Sequence, residues 1–62
     1  MEFIHIYIFE DDLPQLTLFH NITVKIFPNS IIYDISTSEE TEEILDKLRF
    51  PAIFIIDIFL EG

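Results

Sequence analysis

Residues 3–9 are all β-branched or aromatic except for His5, and three acids, Glu10, Asp11 and Asp12, follow them directly. A run without polar alternation predicts a strand that is covered on both faces. Carboxylates cannot continue into an apolar core, because removing their charge from water is costly. The strand is therefore expected to end at solvent immediately after Phe9.

A first helix is predicted over residues 15–27, where apolar side chains recur near helical spacing. Asp12 can serve as its N-cap, and Pro14 falls in the first turn, where a missing N–H is harmless. The β-branched residues of the second half weaken this prediction and leave a strand over residues 22–27 as an alternative. Residues 28–30 then predict a turn. The side chains near helical spacing are Leu16, Phe19, Ile22, Thr23, Ile26 and Phe27.

A second helix is predicted to begin after Thr37, because Thr37 and Glu40 have the spacing of a capping box. Proline cannot continue a helix, so Pro51 sets its end at residue 50 at the latest. Glu43 is expected to pair with Lys47 one turn on. The inward stripe is expected to contain Thr41, Ile44, Leu45 and Leu48.

Two further strands complete the pattern. Residues 31–35 are shorter and more mixed, which suits a strand near the edge of a sheet. Residues 52–57 are again continuously apolar until Asp57, and this predicts a buried strand. The order strand, helix, strand, helix, strand predicts an α/β fold with a three-stranded parallel sheet in one domain over residues 1–62.

The charge balance limits the partners of the chain. Twelve acids against three bases give a net charge of -9, and the bases are scattered singly, so neither nucleic acid nor an anionic membrane is an expected partner. No apolar run approaches the roughly 18 residues of a spanning helix. Cysteine is absent, which excludes disulfides and thiolate metal sites. The N-terminus lacks the cationic segment of a signal peptide, so the expected location of the protein is the cytoplasm.

Acids follow two of the predicted strands. If the first and third strands are neighbours, Glu10, Asp11 and Asp57 converge at the carboxyl edge of the sheet, where ligands bind in open α/β folds. Like charges this close repel unless a proton or a cation intervenes. Oxygen ligands favour Mg²⁺ or Mn²⁺ over zinc. Asp57 could then act as a nucleophile toward a phosphoryl group.

Residues 9–12 and 54–62 resemble the receiver domain of bacterial response regulators, a flavodoxin-like fold. By that resemblance, Asp57 would accept a phosphoryl group from a sensor histidine kinase. Asp11 would bind Mg²⁺ directly, Glu10 would bind it largely through water, and the main-chain carbonyl of Phe59 would be a further ligand. The residues of the two motifs are also similar to those of receivers that precede a LytTR-type DNA-binding domain, as in accessory-gene and bacteriocin-production regulators.

The resemblance covers about half of a receiver, whose complete sheet has five strands. The Ser or Thr after the fourth strand and the Lys after the fifth have no counterpart here, and neither has an output domain. The resemblance therefore implies a partial receiver that neither signals nor is efficiently phosphorylated alone. The alternative is a small acidic interaction module, self-associating through exposed strand edges, or an inactive truncated product. A metal-dependent phosphohydrolase is disfavoured because no second Asp lies two residues after Asp57.

Overall fold

Strands and helices alternate in the order βαβαβ in the computed structural model, which describes residues 3–57. All three strands are parallel, and the sheet has the order β2-β1-β3. The α/β prediction is therefore confirmed, and the arrangement is that of an incomplete flavodoxin-like fold. The elements are β1 (Ile4–Phe9), α1 (Leu13–Ile26), β2 (Ser30–Ile35), α2 (Ser38–Leu45) and β3 (Ala52–Ile56).

Strand β1 is the central strand and is paired along both of its edges. Phe9, the last residue of β1, lies beside Ile35 of β2 and Ile56 of β3. The carboxyl ends of the three strands are therefore level with one another. Ile6, Tyr7 and Ile8 are completely buried. The prediction of a first strand covered on both faces is confirmed.

The two faces of β1 make different contacts. Ile6 and Ile8 pack with Leu16 of α1, which lies against β1 and β2. Tyr7 belongs to the opposite face, where its ring stacks on Tyr33 of β2 at 4.5 Å and on Phe54 of β3 at 5.5 Å between ring centroids. Both faces thus contribute buried apolar area, which is the main stabilising term in a small domain.

Helix α1 extends from Leu13 to Ile26, so the alternative of a strand over residues 22–27 is wrong. Thr23 shows how a β-branched residue fits into this helix. Its side chain is buried, and its hydroxyl donates to the carbonyl of Phe19 one turn earlier at 2.7 Å. Pro14 lies in the first turn as predicted, and Asp12 holds the N-cap position without a side-chain cap.

Helix α2 begins as predicted but ends at Leu45, about one turn before the limit set by Pro51. The N–H of Arg49 donates to the Tyr7 hydroxyl at 2.8 Å instead of to a helical carbonyl. Lys47 consequently lies outside the helix, and within residues 3–57 it forms no ion pair with Glu43. Leu45 is also exposed, so its predicted place in the inward stripe is wrong.

Strand β3 differs from the sequence expectation in its burial. Within residues 3–57 it pairs only with β1, so it forms an edge of the sheet rather than a buried strand. Phe54 and Ile56 keep 43% and 61% of their surface exposed. An apolar run in the sequence indicates a strand, but it does not determine how many other strands pair with that strand. Strand β2 forms the other edge, as predicted.

The two helices of the described range are α1, with 14 residues, and α2, with 8. Neither is long and apolar enough to reach across a bilayer.

Candidate carboxylate site at the strand ends

Two acids lie side by side where β1 and β3 end. The N–H of Glu10 donates to the carbonyl of Ile35 at 3.0 Å, and the N–H of Asp57 donates to the carbonyl of Phe9 at 3.4 Å. These bonds continue the sheet ladders one residue beyond the strands. The backbone therefore holds Glu10 and Asp57 on adjacent strands, as the predicted neighbourhood of the first and third strands requires.

The carboxyl group of Glu10 is unusually buried for an acid. Only 7% of this residue is exposed. Its Oε1 accepts the N–H of Asp12 at 3.0 Å, whereas its Oε2 is buried and has no hydrogen-bond partner within residues 3–57. Burying an oxygen atom without a hydrogen-bond partner costs free energy. A proton or a cation bound to this atom would remove that cost.

Glu10 and Asp57 are electrostatically linked. The pKa of Glu10 is raised, chiefly by the neighbouring Asp57 carboxyl group and also by burial, whereas the hydrogen bond from the Asp12 N–H opposes the shift. Asp57 is exposed to solvent. The pair thus combines a buried carboxyl group, whose pKa is raised, with an exposed carboxyl group.

Glu10, Asp11 and Asp57 line one pocket of about 350 Å³, so the structure brings the three predicted acids to the same place. Within residues 3–57, however, no three acidic or histidine side chains form a ready metal-binding group. The fourth predicted ligand, the carbonyl of Phe59, lies outside the described residues.

The atoms available at the pocket are of the chemical type that a hard divalent cation prefers. The unpartnered Oε2 of Glu10 is a buried oxygen ligand, and the carboxylates of Asp57 and Asp11 face the same pocket. Oxygen ligands without sulfur or imidazole suit Mg²⁺ or Mn²⁺. Glu10 and Asp57 would hold such an ion, with Asp11 as the third carboxylate.

Four residues with hydroxyl groups, which we call the hydroxyl wall, also line the pocket, and sequence reasoning missed them as site residues. They follow β2 and open α2, and the signal for them was their position directly after a strand end: Ser36, Thr37, Ser38 and Thr41. The predicted capping box is confirmed here, because Glu40 N–H donates to Thr37 Oγ1 at 3.1 Å. A hydrogen bond from the backbone N–H of Ser36 is the main reason that the pKa of Glu40 is lowered.

Neither histidine lines this pocket. His5 is a hydrogen-bonded histidine of the sheet, with its Nδ1 2.9 Å from the Tyr33 hydroxyl. The Nδ1 of the partly exposed His20 lies 2.9 Å from a carboxylate oxygen of Asp34. This contact joins α1 to β2 across 14 positions of sequence, so no local pattern indicates it.

No protein-family model, curated protein or solved structure matches the chain. The case for a function therefore depends on the residues and geometry of the site itself.

Glu10→Gln is expected to change how stability depends on pH. Because the folded state raises the pKa of Glu10, this residue contributes stability below its ordinary pKa, and that contribution is lost as pH rises through the raised value. On acidification from pH 7, the unaltered chain should therefore gain stability relative to Glu10→Gln. Urea unfolding at a series of pH values measures the difference. Glu42→Gln, an exposed change on α2, should follow the unaltered chain, and a pH-independent gap between the unaltered chain and Glu10→Gln would contradict the prediction.

Proposed function

We propose that this chain is a receiver-type phosphoacceptor module of a two-component signalling system. Asp57 would accept a phosphoryl group from a sensor histidine kinase in the cytoplasm, while Glu10, Asp11 and Asp57 would hold Mg²⁺. The observation that carries the proposal is the adjacency of Glu10 and Asp57 at the carboxyl edge of the sheet, in one pocket with Asp11.

Accessibility favours Asp57 over Glu10 as the acceptor. Asp57 is exposed, whereas Glu10 is nearly buried and accepts a hydrogen bond from the Asp12 N–H. An oxygen of the Asp57 carboxylate would attack phosphorus, the bond from phosphorus to the leaving group would break, and an acyl phosphate would form on Asp57. Bound Mg²⁺ would supply neutralisation of the phosphoryl oxygens.

The hydroxyl wall gives the phosphoryl group a second set of contacts. Ser38 opens α2 beside Thr37 and lines the pocket with the acids. Hydroxyl groups can donate to phosphoryl oxygens without adding charge to an acidic site. No Lys or Arg of the described residues lines this pocket, so we expect transfer to be slow.

The finer form of the proposal concerns the regulatory context. The similarity of the two acidic motifs to receivers followed by a LytTR-type domain supports a role in transcription regulation through an output domain. The chain would accept a phosphoryl group rather than turn substrate over, so we do not propose an enzyme.

Labelling with a small phosphodonor tests the proposal. The full 62-residue chain, incubated with acetyl phosphate, is expected to gain one phosphoryl group slowly when Mg²⁺ is present and none when EDTA replaces it. Intact-mass spectrometry counts the adducts. Absence of any adduct after prolonged incubation with Mg²⁺, or equal labelling in EDTA, would contradict the proposal.

The exposed apolar edge of β3 favours a second candidate, a small acidic interaction module. Phe54 and Ile56 are exposed on a strand that carries no charged residue, and such edges pair with other chains. Under this candidate Mg²⁺ has no effect, and the mass from light scattering falls on dilution. The two functions therefore differ in both measurements.

A further inference from the structure

A second and larger pocket lies at the other end of the strands, beside their amino ends. It has a volume of about 470 Å³, is open to solvent, and is lined by Phe3, His5, Ile31, Arg49 and Phe50. None of these residues lines the carboxylate pocket, so the acidic site does not account for it. Its volume falls within the range of roughly 300–1,000 Å³ that is usual for small-molecule sites.

Two backbone hydrogen bonds hold the wall that carries Arg49 and Phe50. The Arg49 N–H donates to the hydroxyl of the completely buried Tyr7 at 2.8 Å. The His5 N–H donates to the Pro51 carbonyl at 2.9 Å. Phe50 therefore lies between two residues that are tied to β1, although 68% of its own surface is exposed. An exposed phenylalanine on an anchored segment is a preformed apolar surface, which lowers the cost of ordering on binding.

The pocket combines aromatic rings with one cation. Arg49 is one of only three basic residues in the chain, no acid of the described residues lines the pocket, and within residues 3–57 Arg49 forms no ion pair. The His5 ring stacks near Tyr33, and its Nδ1 is engaged with the Tyr33 hydroxyl. Burial raises the pKa of Tyr33, so this hydroxyl stays neutral and adds no negative charge beside Arg49.

We propose that this pocket binds a small planar aromatic monocarboxylate. The carboxylate would pair with the Arg49 guanidinium, whose planar fork matches a carboxylate, and the ring would lie against Phe50 and Phe3. One cation balances one negative charge. In a chain of net charge -9, nucleotides and other polyanions would meet more uncompensated repulsion than a monocarboxylate, which disfavours them as ligands.

Binding of indole-3-acetate to the full chain tests the proposal. The chain has no tryptophan, so indole fluorescence anisotropy reports the ligand alone. Saturable binding is expected, with indole and acetate, the two halves of the probe, each at least about tenfold weaker in competition. Arg49→Gln should weaken binding about tenfold, as expected for loss of a charged hydrogen bond. Lys25→Gln, which removes an exposed cation on α1, should leave the affinity unchanged.

Further variants separate this site from folding and from the phosphoacceptor site. Phe50→Ala removes an exposed side chain, so it should weaken binding while leaving the unfolding midpoint nearly unchanged. Asp57→Asn should not alter the affinity, because Asp57 lies at the other edge of the sheet. The proposal is overturned by absence of saturable binding, by equal affinity for indole and indole-3-acetate, or by equal losses in Arg49→Gln and Lys25→Gln.

Discussion

Asp57→Asn is expected to abolish phosphoryl labelling of the chain. Asparagine has nearly the shape of aspartate but lacks the nucleophilic carboxylate, so no acyl phosphate can form at this position. Asp57 is exposed, and only its backbone N–H takes part in the sheet ladder, so the substitution should leave the fold intact. Intact-mass spectrometry after incubation with acetyl phosphate and Mg²⁺ measures the loss.

A matched control makes the loss specific to the site. Asp46→Asn is the same chemical change at an exposed residue that follows α2 and does not line the carboxylate pocket. This variant should be labelled like the unaltered chain. Labelling that persists in Asp57→Asn would transfer the acceptor role to another acid and remove the phosphoacceptor proposal. Circular dichroism of both variants checks that any loss is not due to unfolding.

Tyr7→Ala is expected to unfold the chain. Tyr7 is completely buried, and its ring stacks between Tyr33 and Phe54 on the two neighbouring strands. Replacing a buried aromatic residue by alanine costs about 3–5 kcal/mol. Domains below roughly 70 residues rarely have more than about 3–5 kcal/mol of stability. Loss of a cooperative thermal transition by circular dichroism is therefore the expected result.

Tyr7→Phe separates the ring from the hydroxyl. It keeps the stacking but leaves the Arg49 N–H without the acceptor that it has at 2.8 Å. A fully buried donor left without an acceptor costs about 1–3 kcal/mol, and because this hydrogen bond is part-buried the cost should lie at the lower end, so this variant should fold with a lower midpoint. Phe3→Ala, a change at a half-exposed ring, should cost less than Tyr7→Ala. A Tyr7→Ala chain that melts like the unaltered protein would contradict the central role of this residue.

Much of the fold can be predicted from local patterns. The apolar runs around Ile6 and Ile53 indicate strands because β-branched and aromatic residues favour an extended backbone. The Thr37–Glu40 spacing indicates the start of α2 because a cap is a contact between near neighbours in sequence. These features depend on short sequence separations, and the structure confirms them.

The parts that local patterns do not predict depend on contacts between distant residues. Helix α2 ends early where the Arg49 N–H donates to Tyr7, 42 positions away. His20 meets Asp34 only because α1 lies against β2. Strand β3 has the composition of a buried strand but one neighbour within residues 3–57. No local pattern carries this information.

The candidate site was partly predictable for the same reason. Parallel strands end at one edge, so acids after β1 and β3 had to meet once those strands were neighbours. The buried Oε2 of Glu10 and the hydroxyl wall from Ser36 to Thr41 required the three-dimensional arrangement. The sequence thus located the acids, whereas the structure showed that Glu10 is buried and Asp57 is exposed.

The central place of β1 also affects how the protein forms during synthesis. This strand is translated before its ladder partners, Ser30–Ile35 and Ala52–Ile56. The nascent chain therefore holds an apolar segment without any sheet partner until β2 has emerged, and one edge of β1 stays open until β3 follows. Chaperones that recognise extended hydrophobic chains can bind such a segment. The strand at the centre of the finished sheet is therefore also the strand most prone to aggregation before folding is complete.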